Sequence, residues 1–185
     1  MGNCHIFDFL QPLLPENYEV RYLSLAGHGG NAADFSQASM ALWRDQVDEA
    51  VNDMNACYRR VVIVAHSMGC LLAINTAIRT HVDALLLLNP PMRIRPSWRM
   101  IKNAAKVMFG MTNGDPVAIA AREAYGIEID YNPLHYYGWP MRYIELFMES
   151  ARIRQLIQRT YFCRSATNWY LLILQNCYTA ILIFV

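Results

Sequence analysis

Apolar and polar positions alternate along this chain in two periods, and the periods change at clear boundaries. Near the start, Ile6, Phe7, Phe9, Leu10 and Leu13 form one apolar helical face, which Pro15 follows. Tyr18-Glu19-Val20-Arg21-Tyr22-Leu23 alternates with period two and predicts a strand. Asp34 is placed to cap a long helix whose face carries Met40, Trp43, Val47, Val51 and Met54, ending near Arg59. A β-branched run, Val61 to Val64, predicts the next strand. Leu71 to Ala77 then reads as a helix, and Val82 to Leu88 as a strand ending at Asn89-Pro90-Pro91. Strands alternating with helices imply a parallel sheet. Beyond Pro91 the texture shifts to Met, Trp and Tyr at helical spacing, in Trp98–Phe109, Asp115–Tyr125 and Met141–Gln158.

One junction carries chemistry. The strand Val61 to Val64 runs into Ala65-His66-Ser67-Met68-Gly69 and then into the helix. A serine held between small residues in a strand-to-helix turn is the form of a nucleophile elbow, where bulk at the first or last position would push strand and helix apart. Ala65 stands where the pattern has its first glycine, the mildest departure available. The competing reading makes Ser67 a helix N-cap, which also suits a strand-to-helix turn.

The flanks extend the pattern. Leu23-Ser24-Leu25-Ala26-Gly27-His28-Gly29-Gly30 resembles the strand and Gly-His-Gly loop that precede the elbow in α/β-hydrolases, above all the monoacylglycerol-lipase, carboxylesterase and serine-aminopeptidase-like branch. His66-Ser67-Met68-Gly69 resembles the elbow of that branch, and Val82 to Pro91 the strand that leads into its helical cap. The resemblance spans residues 5 to about 160. It implies an α/β fold with a mostly parallel sheet flanked by helices, under a helical cap and without the N-terminal strands. Residues 1–91 would form the core with the elbow, 92–158 the cap, and 159–185 an atypical hydrophobic tail. It further implies a serine hydrolase of carboxylic esters or acyl lipids, in which Ser67 attacks and the Met68 N–H holds the oxyanion, with Ala65, His66 and Gly69 shaping the elbow. No cofactor is implied. A catalytically silent module that binds apolar ligands, and a non-functional gene fragment, remain as alternatives.

Both ends depart from that pattern. The family has a strand between those of Tyr18–Leu25 and Val61–Val64, ending in a His-Gly loop that gives one oxyanion-hole N–H, and this chain lacks both. Either the neighbours close up or another segment fills the gap. An open gap would expose strand edges and lead the chain to aggregate. After Gln158-Arg159 the family continues to a strand and an acid-bearing loop, whereas Asn168 to Tyr178 holds neither acid nor turn residues. Back-translated and read one frame over, that stretch permits Asp-Glu-Leu-Val-Ser-Pro, which resembles the acid loop of α/β-hydrolases. The expectation is therefore that residues from about 161 onward arise from a frameshift, with the triad acid and histidine lost; an intact frame at the locus would refute it. Chain order in this fold is serine, acid, histidine, which leaves Asp83, Asp115, Asp130, His81 and His135 as substitutes. His81 follows the elbow helix closely and is expected at the surface, and a cap loop is a poor mount for Asp130 and His135.

Composition adds mainly exclusions. A net charge of +1 with no basic run gives no footprint for nucleic acid. Cys4, Cys57, Cys70, Cys163 and Cys177 form no Cys-x-x-Cys pair, which argues against a zinc site or a disulfide framework and for a reducing, cytoplasmic setting. No metal is expected. Met1-Gly2-Asn3-Cys4 lacks the following Ser or Thr of a myristoylation signal, and the start has no leader-like pattern. Residues 169–185 reach about 17 apolar-rich positions but include Gln175, Asn176 and Thr179, so membrane association is not expected. The partner expected is a small ester or acyl lipid.

Overall fold

The computed structural model describes residues 4–16, 18–28, 32–94, 139–163 and 179–184, with Trp98, Lys102 and Pro116 besides. Three of its strands lie where alternation and β-branching place them: β1 at Tyr18–Tyr22, β2 at Arg60–His66 and β3 at Ala84–Leu88. A fourth, β4, spans Thr179–Phe184 in the tail. The sheet order is β1-β4-β2-β3, and every pairing is parallel.

The gap expected between β1 and β2 is thus filled, and the filler is the tail itself. Leu182 lies opposite Arg21 on one side and Ile63 on the other, and it is fully buried. Thr-Ala-Ile-Leu-Ile-Phe suits that place physically. A central parallel strand is covered on both faces, so it tolerates a continuous apolar run, and this one carries no charge or proline to interrupt either ladder. A segment whose hydrophobicity had no assigned use therefore satisfies two rows of backbone groups that would otherwise cost about 1–3 kcal/mol each if buried unpaired.

The long helix is divided. Asp34 sits in the first turn of a short helix α1, Ala32–Gln37, and α2 restarts at Met40 and runs to Cys57. The break is at Ser39, whose extended backbone and Oγ, accepting the Leu42 N–H at 3.1 Å, cap α2 in place of Asp34. The buried stripe is the expected one, Met40, Trp43, Val47, Val51 and Met54, with Ala50 added. It covers one face of the sheet together with α3, Met68–Arg79. On the opposite face Phe7 is buried against Val64, with Leu10, Val20, Tyr22 and Val62 around it. Phe7 and Leu10 share a 3₁₀ helix, Cys4–Leu13, in which positions three apart eclipse. Pro12 within that helix lacks an N–H, and Leu13 projects outward at 73% exposure rather than joining the apolar face.

Helix α4, Trp139–Cys163, contains the predicted 141–158 helix and lies against α2 and α3. A polar seam fixes it there. Glu149 is only 2% exposed and accepts from Arg44 on α2 at 2.7 Å and from Arg152 on its own helix at 2.7 Å. Arg152 also donates to Asn75 Oδ1 on α3. Glu145 accepts the Met40 N–H at 2.9 Å, and Ser150 Oγ donates to the Pro91 carbonyl at 2.8 Å. Apart from Trp98, Lys102 and Pro116, the two helical stretches expected at 98–109 and 115–125 lie outside the described residues.

Candidate active site

Ser67 stands at the C-terminal edge of the sheet, between the last residue of β2 and the first of α3. Open parallel sheets place their chemistry at this edge, because strand ends and helix N-termini converge there. The backbone at Ser67 has φ 51° and ψ −121°, a combination an L-residue adopts only when its surroundings impose it. Two contacts impose it here. The Ser67 N–H donates to the Leu88 carbonyl at 3.0 Å, carrying the β2–β3 ladder one residue past the strand. The Ser67 carbonyl accepts from the Cys70 N–H at 3.0 Å, which starts the helix.

The N-cap reading of Ser67 fails on its side chain. A capping serine has an extended backbone and turns its hydroxyl back onto the helix N–H groups. Ser39 does both, whereas Ser67 has a positive φ and makes no side-chain cap bond. The strained turn leaves Oγ uncommitted to the helix. Met68 is the first residue of α3, so its N–H has no intrahelical acceptor and sits at the positive end of the helix dipole.

The residues around the serine are those a tight turn needs. Ala65 is fully buried and Gly69 is buried in the first turn of α3. Cys70 is fully buried, with Sγ 3.3 Å from both the Ala65 and the Leu88 carbonyls. Burial pushes its thiol up to about 11, so Cys70 stays protonated and inert at neutral pH. His66 points to the other sheet face, edge-on to Phe7 at 6.5 Å between ring centres. Beside the serine, across the ladder, Asn89 also has a positive φ of 54° and turns the chain toward Pro90-Pro91.

The Gly27-His28 turn ends the loop after β1 at the same edge. Gly27 has φ 74°, and a Cβ there would lie 2.5 Å from the Phe35 Cα, so only glycine lets the loop approach α1. His28 is wedged between Phe35 and Trp43, each ring 5.3 Å away. Burial lowers its imidazole from 6.5 to about 4, so it is neutral and serves as part of the core. Trp43 Nε1 closes the turn by donating to the Ala26 carbonyl at 2.8 Å.

The substitute triad residues that fall among the described ones are at the wrong end. Asp83 accepts the Val61 N–H at 2.7 Å, at the start of β2. Six residues of strand separate that point from Ser67, roughly 20 Å at the usual rise. His81 is beside it, 75% exposed and 3.6 Å from Asp83, the surface position expected. Asp115, Asp130 and His135 lie outside the described residues. Among the described residues no cluster of His, Cys, Asp and Glu could hold a metal ion, and no helix is long and apolar enough to cross a membrane.

Sequence reasoning missed Leu88, Asn89 and Cys70 as supports of the turn. Only the Asn-Pro-Pro punctuation after the β3 run hinted at a second strained position. A sequence model described as "Alpha/beta hydrolase family" matches residues 2–178 of the chain. No curated protein and no solved structure gives a match.

Proposed function

The chain belongs to the alpha/beta hydrolase family, and from that premise we propose that it carries serine-hydrolase chemistry for carboxylic esters and acyl lipids, with Ser67 as the nucleophile. One observation carries the reading. Ser67 holds a strained positive-φ backbone and leaves its hydroxyl free of the helix, an arrangement that costs stability and that a structural cap has no use for. In this reading Oγ attacks the acyl carbonyl, and the charge that develops on the carbonyl oxygen is met by the Met68 N–H and the α3 dipole. Ala65, His66 and Gly69 hold the turn, and Ser67 alone bonds to the acyl group.

The attack needs a base for the Ser67 proton. Among the described residues none of His28, neutral in its aromatic slot, His66, turned edge-on to Phe7 on the other sheet face, and His81, at the far end of the sheet, is placed to take it. The proton therefore passes to solvent water, which also protonates the leaving alcohol and later hydrolyses the acyl-serine. With no base among the described residues beside Ser67, slow turnover is the expected outcome. Enzymes stripped of triad members keep about 10³–10⁴ over water when the oxyanion hole survives, and that range is a ceiling here. The test is hydrolysis of p-nitrophenyl butyrate by wild type and Ser67→Ala. Weak hydrolysis that disappears in the variant supports the reading, and hydrolysis indifferent to Ser67 refutes it. Binding of apolar ligands with no Ser67-dependent chemistry would favour the binding-module alternative.

A further inference from the structure

Strand β1 is the edge of the sheet on one side: among the described residues its only strand neighbour is β4. Its five residues, Tyr18-Glu19-Val20-Arg21-Tyr22, are self-complementary when read against themselves in reverse. With Val20 opposite Val20 of a second copy, Tyr18 meets Tyr22, Glu19 meets Arg21, and each pair occurs twice. We propose that this chain associates with a second copy of itself through antiparallel pairing of the two β1 edges about a twofold axis at Val20.

The burial pattern supports that register. Glu19 and Arg21 are the exposed positions of β1, on one face of the strand, while Tyr18, Val20 and Tyr22 are half-buried on the other. The exposed face would then bring together two opposite-charge cross-strand pairs and the other face two Tyr pairs, both favourable combinations. Arg21 is held only loosely within its own chain. Its ion pair to Asp53 on α2 is 3.7 Å long with both side chains about half exposed, a contact of little worth. Room exists beside the edge as well. An open groove of about 680 Å³ runs between Glu19–Tyr22 of β1 and Asp53–Tyr58 at the end of α2, away from the Ser67 end of the sheet. Moving the axis by one residue to either side would set Glu19 against Glu19 or Arg21 against Arg21, so charge fixes the register that backbone pairing leaves free.

The interface would be isologous, so one substitution changes two contacts. A five-residue edge is a small interface, and association should appear between roughly 1 and 100 µM. The experiment is sedimentation velocity on the full chain over that range. Wild type should shift from monomer to dimer. Glu19→Arg alone and Arg21→Glu alone should each remain monomeric at the highest concentration, with cooperative melting confirming that they fold. Mixed in equal amounts, the two variants should form a dimer. In that pair the introduced arginine of one chain faces the introduced glutamate of the other, and the retained Arg21 faces the retained Glu19. Wild type that stays monomeric at ~100 µM overturns the proposal. So does a dimer unchanged by either reversal, which would locate association elsewhere, or a mixture that fails to associate.

Discussion

Leu182→Ala probes whether the tail belongs to the sheet. Leu182 is fully buried in the main core, between β1 and β2, in register with Arg21 and Ile63. Truncating a buried leucine to alanine costs about 2–5 kcal/mol, through lost transfer energy and the cavity left behind. A central strand flanked on both sides by paired neighbours has little freedom to collapse into that space, so about 3 kcal/mol or more is expected. That is a large share of a domain's roughly 5–15 kcal/mol. For a chain of this size each kcal/mol moves the melting temperature by about 2–4 °C, so the variant should melt roughly 6–12 °C lower. Leu86→Ala is the internal control. Leu86 is on β3 and 44% exposed, and its truncation should cost no more than about 1 kcal/mol. The assay is urea denaturation of both variants beside wild type, where a shifted midpoint at unchanged slope reports stability alone. If Leu182→Ala costs no more than Leu86→Ala, β4 does not occupy the centre of the sheet, and the gap is closed in another way.

Ser67→Gly should raise the melting temperature by a few degrees, because glycine adopts φ 51° without the strain of about 1–3 kcal/mol that an L-residue bears there; a lower melting temperature would remove the strain argument. His28 should make the fold acid-sensitive. Its folded pKa is depressed from 6.5 to about 4, so its contribution is complete above pH 6.5, is lost as pH falls toward 4, and levels off below, on the order of 3 kcal/mol in all. Denaturation midpoints measured from pH 7 to 4 should fall less steeply in His28→Phe, and equal slopes in the two proteins would contradict the buried neutral imidazole.

Legibility in the sequence followed the range of the interactions involved. β1, β2, β3 and the buried stripe of α2 were readable because period two and period 3.6 are local patterns, and Met40, Trp43, Val47, Val51 and Met54 all fell on the face they announced. The break at Ser39 was missed because Asp34 offers an equally good cap in sequence. It is the Met40 N–H, held by Glu145 from α4, that helps fix where α2 begins. β4 resisted assignment for a physical reason. A central parallel strand need not alternate and looks like any apolar run, and the partners of β4 are more than 100 residues away. The strand-to-helix turn at Ser67 was readable as a pentapeptide, but its support was not. Leu88 holds the Ser67 N–H across a ladder whose register no local signal specifies. The tail was given no strand because its hydrophobicity was weighed alone, without the two unpaired strands it could join.

The claim that Ser67 is a displayed nucleophile rather than a cap is tested most directly by covalent trapping. The full chain would be incubated with a fluorophosphonate, and the adduct located by intact mass and peptide mapping. One adduct per chain is expected, slow to form, on Ser67, and none in Ser67→Ala. A chain that stays unmodified after prolonged exposure, or an adduct that persists in Ser67→Ala, would contradict it.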